Sequence, residues 1–400
     1  MKLLPKEHLD LSREKSLTNI AFDPNLANEK YKKGEVRIVT EQARYPLNTI
    51  VGLVQSDNYI LNPEFQRRHR WDNARKSRLI ESFIMNVPIP PIFLYEVDYS
   101  VYEVMDGLQR LTAISQFYQD KYSLESLVEW QELNGLTYSK LPEQIRKGID
   151  RRYISSIILL QETAKSENEA NRLKQVVFER INSGGEKLKP QEIRNALYPG
   201  KLNSLTIKLA RNSYFCKLWD IPEQSTEEKE TGQPEQNVID DKYFKDMSDA
   251  ELVLRFFAYR QLDKWQGNTL ENFLDEYLKE GNANFDETVL NGLTKIFEDT
   301  IQFAYELFDK KAFWLHRNRE NNWFHYERPT KILYDPLMQV LTRFLDKKNI
   351  LLFKKNDILQ GLKDLHQQEY EIFKGRDTNK TKVQERIKIL TSYLQSFIDG

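Results

Sequence analysis

The sequence predicts an α+β domain followed by an all-helical region, and three observations support this. Between about residues 45 and 162, short β-branched and alternating runs are mixed with one clear helical pattern. Beyond residue 165 the apolar period becomes helical and stays so. Four hundred residues exceed what one compact core accommodates, so we expect two or three domains. We place them at 1–44 (an N-terminal extension), 45–165 (the α+β domain) and 166–400 (the helical domain).

The elements of the α+β domain follow from local patterns. A helix fits Ala74 to Asn86, with its apolar residues on one face, and the proline-rich stretch after it ends the helix. Ile92 to Val97 and Val101 to Met105 are predicted strands joined by a hairpin turn, and Arg151 to Gln161 is a further β-branched run.

Capping signals mark the helical region. Ser166 with Glu169 and Ser248 with Glu251 have the spacing of capping boxes, and Pro190 suits the first position of a short helix. Further helices are expected at about 286–309, 331–346, 355–373 and 380–398. Residues 221–240 are polar, acidic and poor in large apolar groups, which predicts a mobile loop or linker.

Composition narrows the class of protein. Apolar residues make up 40% and charged residues 30%, as in a chain that can bury a core. No apolar run has the length of a membrane span, and the first residues lack the apolar centre of a signal peptide. The single cysteine, Cys216, excludes a disulfide framework and a cysteine-based zinc site. We therefore expect a soluble, cytoplasmic protein with no membrane partner.

Charge is segregated along the chain although its net value is only −1. Residues 64–78 and residues 374–388 each contain six Lys or Arg against two acids, whereas residues 223–251 contain ten acids against three lysines. Such segregation allows a local site for an anion even though the protein as a whole is not basic. It is equally typical of charged faces that are simply exposed to solvent.

The pentapeptide Asp106-Gly107-Leu108-Gln109-Arg110, between a predicted strand and an apolar helix, has two interpretations. As a plain helix start, Asp106 is the N-cap, Gln109 completes a capping box and Arg110 is a surface charge. As a phosphate site, Gly107 lets the backbone approach an anion at a helix N-terminus, where Arg110 grips phosphate oxygens. Asp106 would then hold magnesium and Gln109 would position a water molecule.

A second motif, Phe65-Gln-Arg-Arg-His-Arg-Trp71, lies about 40 residues earlier and could supply the counter-charges. Gln66, Arg67 and Arg70 are candidate phosphate donors, while His69 fits a structural role. Trp71 suits the core better than a stacking surface. No GxxxxGK[ST] motif occurs in the chain, so a nucleotide site would be of another kind.

Several motifs in the same order resemble the N-terminal domain of the GmrSD-type restriction proteins. They are QRRHRW at 66–71, LIESFIMNVPIPPIFL at 79–94 and DGLQR at 106–110. INSGGEKLKPQEIRNALYPG at 181–200 and GRDTNKTKVQERI at 375–387 are similar to later segments of that family. The family motif is usually Asp-Gly-Gln-Gln-Arg, so Leu108 departs from it.

The resemblance implies a ParB/sulfiredoxin-like α+β fold that binds and usually hydrolyses nucleoside triphosphates, in prokaryotic defence against foreign DNA. It implies catalytic roles for Asp106, Gln109 and Arg110, with magnesium at Asp106. Gln66, Arg67, Arg70 and Gly107 would bind the nucleotide. Leu108 either removes a polar contact with the nucleotide, which would affect hydrolysis, or faces the core.

Three functions follow as hypotheses. The first is a DNA-associated NTPase acting with a partner nuclease or another defence protein, and the chain could form a homo-oligomer. The second is a metal-dependent DNase, and the third is a non-enzymatic DNA-binding or scaffold protein. His316 and His325 are nine residues apart and lack an HNH pattern, so we expect no HNH nuclease domain here. The arginines and aromatic residues around them suit a nucleic-acid surface better: Arg317, Arg319, Trp323, Tyr326 and Arg328.

Overall fold

The computed structural model divides the chain into two compact units. One consists of residues 16–188, and the other consists of residues 1–15 together with residues 189–400. The structure describes residues 3–11, 23–33, 38–61, 68, 71–160, 167–182, 188–232, 234–266, 269–319, 322–375 and 377–399. The contact boundary after Leu188 lies later than the predicted one at 165, and residues 1–15 group with the helical unit.

In its described part, the unit of residues 16–188 contains a five-stranded mixed sheet with the order β1-β5-β3-β4-β2. Its strands are β1 (Thr40–Pro46), β2 (Tyr59–Ile60), β3 (Ile92–Asp98), β4 (Val101–Asp106) and β5 (Tyr153–Leu159). β3 pairs antiparallel with β4 and parallel with β5, while β1 pairs antiparallel with β5 and β2 pairs parallel with β4. The predicted hairpin and the predicted last strand are thus confirmed.

The helices that the structure describes in this unit are α1 (Pro24–Lys33), α2 (Ile50–Gln55), α3 (Asn73–Met85), α4 (Leu108–Tyr118), α5 (Glu143–Asp150) and α6 (Glu167–Asn182). Among them, α2 to α5 contribute buried apolar residues to the same core as the sheet. α3 confirms the predicted helix: the Asp72 side chain accepts a hydrogen bond from the backbone N–H of Arg75, and Asn86 ends the helix in a left-handed conformation. Ile80 and Phe83 of α3 join Leu111, Ile114 and Phe117 of α4 in one core.

Glu81 on α3 ties the loop after α4 to the core. Its side chain is buried, and Oε1 accepts the backbone N–H groups of Val128, Glu129 and Trp130 at 3.0, 2.8 and 3.0 Å. Three such bonds satisfy a carboxylate that would otherwise be costly to bury. Glu81 therefore has a structural role within the LIESF segment, which sequence patterns did not indicate.

The other unit is mainly helical. Its helices are α7 (Pro190–Leu197), α8 (Lys201–Leu209), α9 (Ser213–Trp219), α10 (Thr226–Thr231), α11 (Gln236–Asp240), α12 (Lys242–Lys245), α13 (Ser248–Tyr259), α14 (Leu270–Asn284), α15 (Glu287–Phe308), α16 (Lys331–Arg343), α17 (Lys348–Phe353), α18 (Lys355–Gln368), α19 (Tyr370–Phe373) and α20 (Lys380–Asp399). Between α15 and α16, β6 (Leu315–Arg319) and β7 (Asn322–Tyr326) form an antiparallel hairpin. The prediction of an all-helical region is wrong at this point.

Two local predictions about this unit also need correction. The acidic segment 221–240 contains α10 and α11 rather than a loop throughout, because Ser225 caps α10 and Glu228 is buried in an ion pair with Arg211. Met247, in a left-handed conformation, is the N-cap of α13, so Ser248 and Glu251 form no capping box. The helix predicted to start at Pro190 is confirmed, whereas Ser166 and the glycines at 184 and 185 lie outside the described residues.

The segment 3–11 is bound into the helical unit. Glu7 and Arg260 form a fully buried ion pair, with Arg260 Nε 2.6 Å from Glu7 Oε1. The Gln261 side chain donates to the backbone oxygen of Glu7 and accepts from the backbone N–H of Leu9. The residues expected to form part of an N-terminal extension therefore contribute to the core of this unit.

Candidate functional site

The junction between β4 and α4 is built around a glycine in a conformation that L-residues rarely adopt. Gly107 is the N-cap of α4, with φ of 95° and ψ of 6°. A Cβ atom at this position would lie 2.4 Å from Cγ2 of Ile92 and 2.9 Å from its Cβ. Both the backbone angle and the close approach of β3 therefore require glycine.

Asp106 does not cap the helix, so the interpretation of the pentapeptide as a plain capping box is wrong. It is the last residue of β4, and no side chain caps α4. Its Oδ2 atom instead accepts a hydrogen bond from Arg110 Nη2 at 2.7 Å. The same Nη2 donates to the backbone oxygen of Pro91 at 3.2 Å. Arg110 is therefore no surface charge: its side chain is 14% exposed, against 37% for Asp106.

Two buried donors at the start of α4 have no hydrogen-bond partner among the residues that the structure describes. These are Nε of Arg110 and Nε2 of Gln109. Oε1 of Gln109 accepts the backbone N–H of Trp71 at 3.3 Å, which joins the two sequence motifs. Because buried polar groups in folded proteins are nearly always satisfied, two unfilled donors beside a helix N-terminus indicate that an acceptor is missing here.

The earlier motif is described only in part. Gln66, Arg67, His69 and Arg70 lie outside the described residues, so their predicted roles stay predictions. Arg68, which the sequence did not single out, is buried, with 2% of its surface exposed. Trp71 packs against the core, as predicted, and the guanidinium of Arg75 lies 4.8 Å from its ring centroid.

Leu108 belongs to the core of the α+β unit. It is 5% exposed and lies in the same cluster as Ile92 and Leu111. The departure from the family motif therefore places an apolar side chain in apolar surroundings. Of the two alternatives for Leu108, the structure supports the one in which this position faces the core.

Next to the junction, β4 is anchored to α6. Glu103 on β4 forms an ion pair with Lys174 on α6, and both side chains are largely buried. The ammonium group of Lys174 also lies 5.6 Å from the ring centroid of Tyr95 on β3. Burial, with a smaller contribution from the Glu103 charge, raises the pKa of Tyr95. Tyr95 is therefore a neutral packing residue at physiological pH.

The polar side chains of the motif EIRNAL on α7 make hydrogen bonds and ion pairs within the helical unit. Glu192 accepts the backbone N–H of Lys189. Arg194 is surrounded by acceptors, with Nε 2.6 Å from Asp275 and Nη1 3.3 Å from Glu251. Asn195 accepts from the Asn203 side chain at 2.8 Å. These contacts hold α7 to neighbouring helices of the same unit.

The histidines of the hairpin meet a third histidine that the sequence did not connect with them. His316 and His325 face each other across β6 and β7, with stacked rings 4.5 Å apart. His366 on α18 lies with Nδ1 3.3 Å from Nδ1 of His316. Burial lowers the pKa of His316 to about 4 and that of His366 to about 3, and it lowers the pKa of His325 as well. The sequence did not predict this cluster, because His366 is 50 residues away from His316 along the chain.

No group of three or more His, Cys, Asp or Glu side chains in the described part of the chain is arranged to hold a metal ion. Among the helices that the structure describes, none combines the length and apolar character required to cross a membrane.

Comparison with known families identifies the N-terminal part of the chain. Residues 49–199 match the model of the GmrSD restriction endonuclease, N-terminal domain. This segment is a GmrSD-type N-terminal domain, as its motifs predicted, and the family indicates a component of a restriction or anti-phage system. Searches of curated proteins and of solved structures found no match.

Proposed function

Starting from the GmrSD-type domain at residues 49–199, we propose that the protein is a nucleoside-triphosphate-binding, DNA-associated component of a prokaryotic restriction system. We further propose that it hydrolyses the nucleotide and that residues 16–188 have a ParB/sulfiredoxin-like fold. A partner nuclease, another defence protein or a second copy of the chain would complete the system.

One observation carries the nucleotide site: α4 begins with two buried donors that have no partner among the described residues, Gln109 Nε2 and Arg110 Nε. Gly107 contributes the left-handed turn that leads β4 directly into the first turn of α4, a turn that only glycine fits beside Ile92. The first turn of α4 adds free N–H groups and the positive end of a helix dipole, both of which favour phosphate.

Each residue of the motif then has a distinct role. Arg110 would exchange its bond to Asp106 for bidentate contacts with phosphate oxygens, and Asp106 would be released to hold magnesium. A bound magnesium ion would neutralise phosphate charge. Gln109, held at Oε1 by the backbone of Trp71, would donate through Nε2 to orient a water molecule. Gln66, Arg67 and Arg70 would add phosphate donors from the neighbouring motif.

The test is calorimetric titration of ATP, GTP, CTP and UTP, each with magnesium, into wild type, Arg110→Ala and the control Arg151→Ala. Arg151 is an exposed arginine of the same unit, so it controls for loss of one positive charge. We expect one nucleotide to bind wild type and the control, and binding to Arg110→Ala to fall at least about tenfold, as for a lost charge-assisted contact of about 1.5–3 kcal/mol.

Thermal unfolding of each variant verifies that the unit is folded. The proposal would be wrong if no nucleotide bound the wild type, or if Arg110→Ala bound nucleotide as well as Arg151→Ala does.

Hydrolysis is tested by phosphate release: Gln109→Leu should bind nucleotide but release phosphate at least about a hundredfold more slowly, the range expected when a group that positions the reacting water is lost. The alternative of a metal-dependent DNase is tested by incubating the wild type and Asp106→Ala with plasmid DNA and magnesium or manganese: degradation by the wild type that is lost in the variant would support it.

A further inference from the structure

The hairpin of β6 and β7 has two faces with different surroundings. In its register Arg317 lies opposite Phe324, and His316 lies opposite His325. Since side chains alternate along a strand, Leu315, Arg317, Phe324 and Tyr326 share one face, while His316, Asn318, Trp323 and His325 share the other.

The histidine face is held against the helical unit. His316 contacts His366 of α18, and the backbone N–H of His316 donates to the same imidazole at 3.3 Å. Trp323 packs edge-on against Tyr370 of α19, with ring centroids 5.3 Å apart. These contacts fix the position of a two-stranded hairpin that would be unstable alone.

The arginine face is buried at Leu315, partly exposed at Arg317 and Tyr326, and exposed at Phe324. The Phe324 ring is 43% exposed and so offers an apolar surface beside Arg317, which lies opposite it in the register. The guanidinium of Arg317 lies 4.7 Å from the ring centroid of Tyr326, so a cation–π contact orients its plane. Among the described residues Arg317 has no acidic partner, and its Nε atom is buried without a hydrogen bond.

The charge around the hairpin is positive, in contrast to the chain as a whole. Residues 310–331 contain six Lys or Arg and two acids, whereas the net charge of the chain is −1. The cations are Lys310, Lys311, Arg317, Arg319, Arg328 and Lys331, and the acids are Glu320 and Glu327. Lys331 is paired with Glu251, at 3.0 Å, so it adds little to this positive charge. Arg328 directly follows the second strand, is exposed and has no acidic partner among the described residues.

We infer that the arginine face of the hairpin, with Arg328, is a contact surface for duplex DNA. This rests on the DNA association in the proposed function and assigns it to particular residues. A two-stranded β-ribbon fits the major groove, which is about 12 Å wide. Arg317 and Arg328 would contact phosphates or guanine edges, and Phe324 would make apolar contact with the floor of the groove.

The test measures fluorescence anisotropy of a labelled DNA duplex, and of each of its single strands, over a range of salt concentrations without nucleotide. The proteins are wild type, the double variant Arg317→Gln/Arg328→Gln, and Phe324→Ser. Arg343→Gln is the control, because Arg343 is an exposed arginine of the same unit, on α16, with no acidic partner among the described residues.

We expect the double variant to lose about 10- to 100-fold in duplex affinity at low salt. If both arginines contact phosphate, the slope of log K against log salt should become less steep by about 1.8, or 0.9 for each lost contact. Phe324→Ser should weaken binding less and leave the slope unchanged. Arg343→Gln should behave as wild type, and thermal unfolding shows which variants are folded.

The outcomes separate this inference from the proposed nucleotide site. Duplex binding that the folded double variant retains in full would overturn the hairpin surface but leave the nucleotide site untouched. If the wild type binds no DNA, the titration is repeated with each nucleotide and magnesium, and no binding in either condition would overturn both the surface and the DNA association. Preference for the single strands, lost in Phe324→Ser, would overturn the assignment to duplex DNA.

Discussion

Arg110 and Arg194 are both largely buried arginines within sequence motifs, but their surroundings differ. Every nitrogen of the Arg194 guanidinium has an acceptor: Nε bonds Asp275, Nη1 bonds Glu251 and Gln191, and Nη2 bonds the backbone oxygen of Glu271. Arg110 uses Nη2 twice, for Asp106 and for the backbone of Pro91, while its Nε has no partner among the described residues.

The difference separates a structural charge from one that is available to a ligand. A buried guanidinium with all its donors filled contributes to holding helices together, and adding a ligand would require breaking existing bonds. A guanidinium with an unfilled donor beside a helix N-terminus can accept a new partner. Both arginines occupy motifs of the same family domain, so only their contacts distinguish the two roles.

The largest expected effect is on stability and comes from Arg194. Arg194→Ala leaves Asp275 and Glu251 without this cation and should lower the free energy of unfolding of the helical unit by about 3–5 kcal/mol. Arg110→Ala should cost the α+β unit less than about 2 kcal/mol, because its carboxylate partner is partly exposed. Urea unfolding of the two variants measures both. Equal losses would mean that Arg110 is as structural as Arg194.

A smaller effect is expected at the position where the motif departs from its family. Leu108→Gln restores the usual residue but buries an amide in the core, so it should cost about 2–3 kcal/mol. Leu108→Met conserves volume and should cost less than about 1.5 kcal/mol. Urea unfolding and nucleotide titration are the measurements. A stable Leu108→Gln with tighter nucleotide binding would show that this position faces the ligand.

The smallest expected difference is the one between alanine at Gly107 and alanine at Gly135, the matched control. Both glycines have positive φ, 95° and 85°, but a Cβ at Gly135 would meet no atom within 4 Å. Alanine should therefore carry a similar backbone penalty at both positions and an additional packing cost of about 1–2 kcal/mol at Gly107 alone. Thermal unfolding compares the variants. The same loss of stability at both positions would mean that Ile92 of β3 can shift to accommodate a Cβ atom at Gly107 at little cost.

Much of the fold follows from local patterns in the sequence. β3, β4 and α3 were predicted because their apolar periods and turn signals are short-range. The hairpin was missed because HRNRENNWFHY mixes charged, amide and aromatic residues without the alternation typical of a strand. The helices in the acidic segment were missed because Glu228 is stabilised by Arg211, 17 residues away, which composition does not reveal.

The place of the candidate site was predictable, but its contacts were not. Sequence located it at a strand-to-helix junction, and the structure confirms that position. The N-cap of α4 is Gly107, in a left-handed conformation, and not Asp106 as a capping box would require. The Asp106 side chain therefore bonds Arg110 instead of the helix backbone. The contact between Trp71 and Gln109 joins residues 38 apart, and no period in the sequence encodes it.

The ion pair of Glu7 with Arg260 has a consequence for biosynthesis. The two residues are 253 apart, so a nascent chain carries Glu7 without its partner until the ribosome has passed Arg260. All residues of the α+β unit precede Arg260, so this unit can fold on the ribosome before the helical unit has been fully synthesised. During this interval the apolar Leu9, which is buried in the folded unit, lacks the residues that bury it.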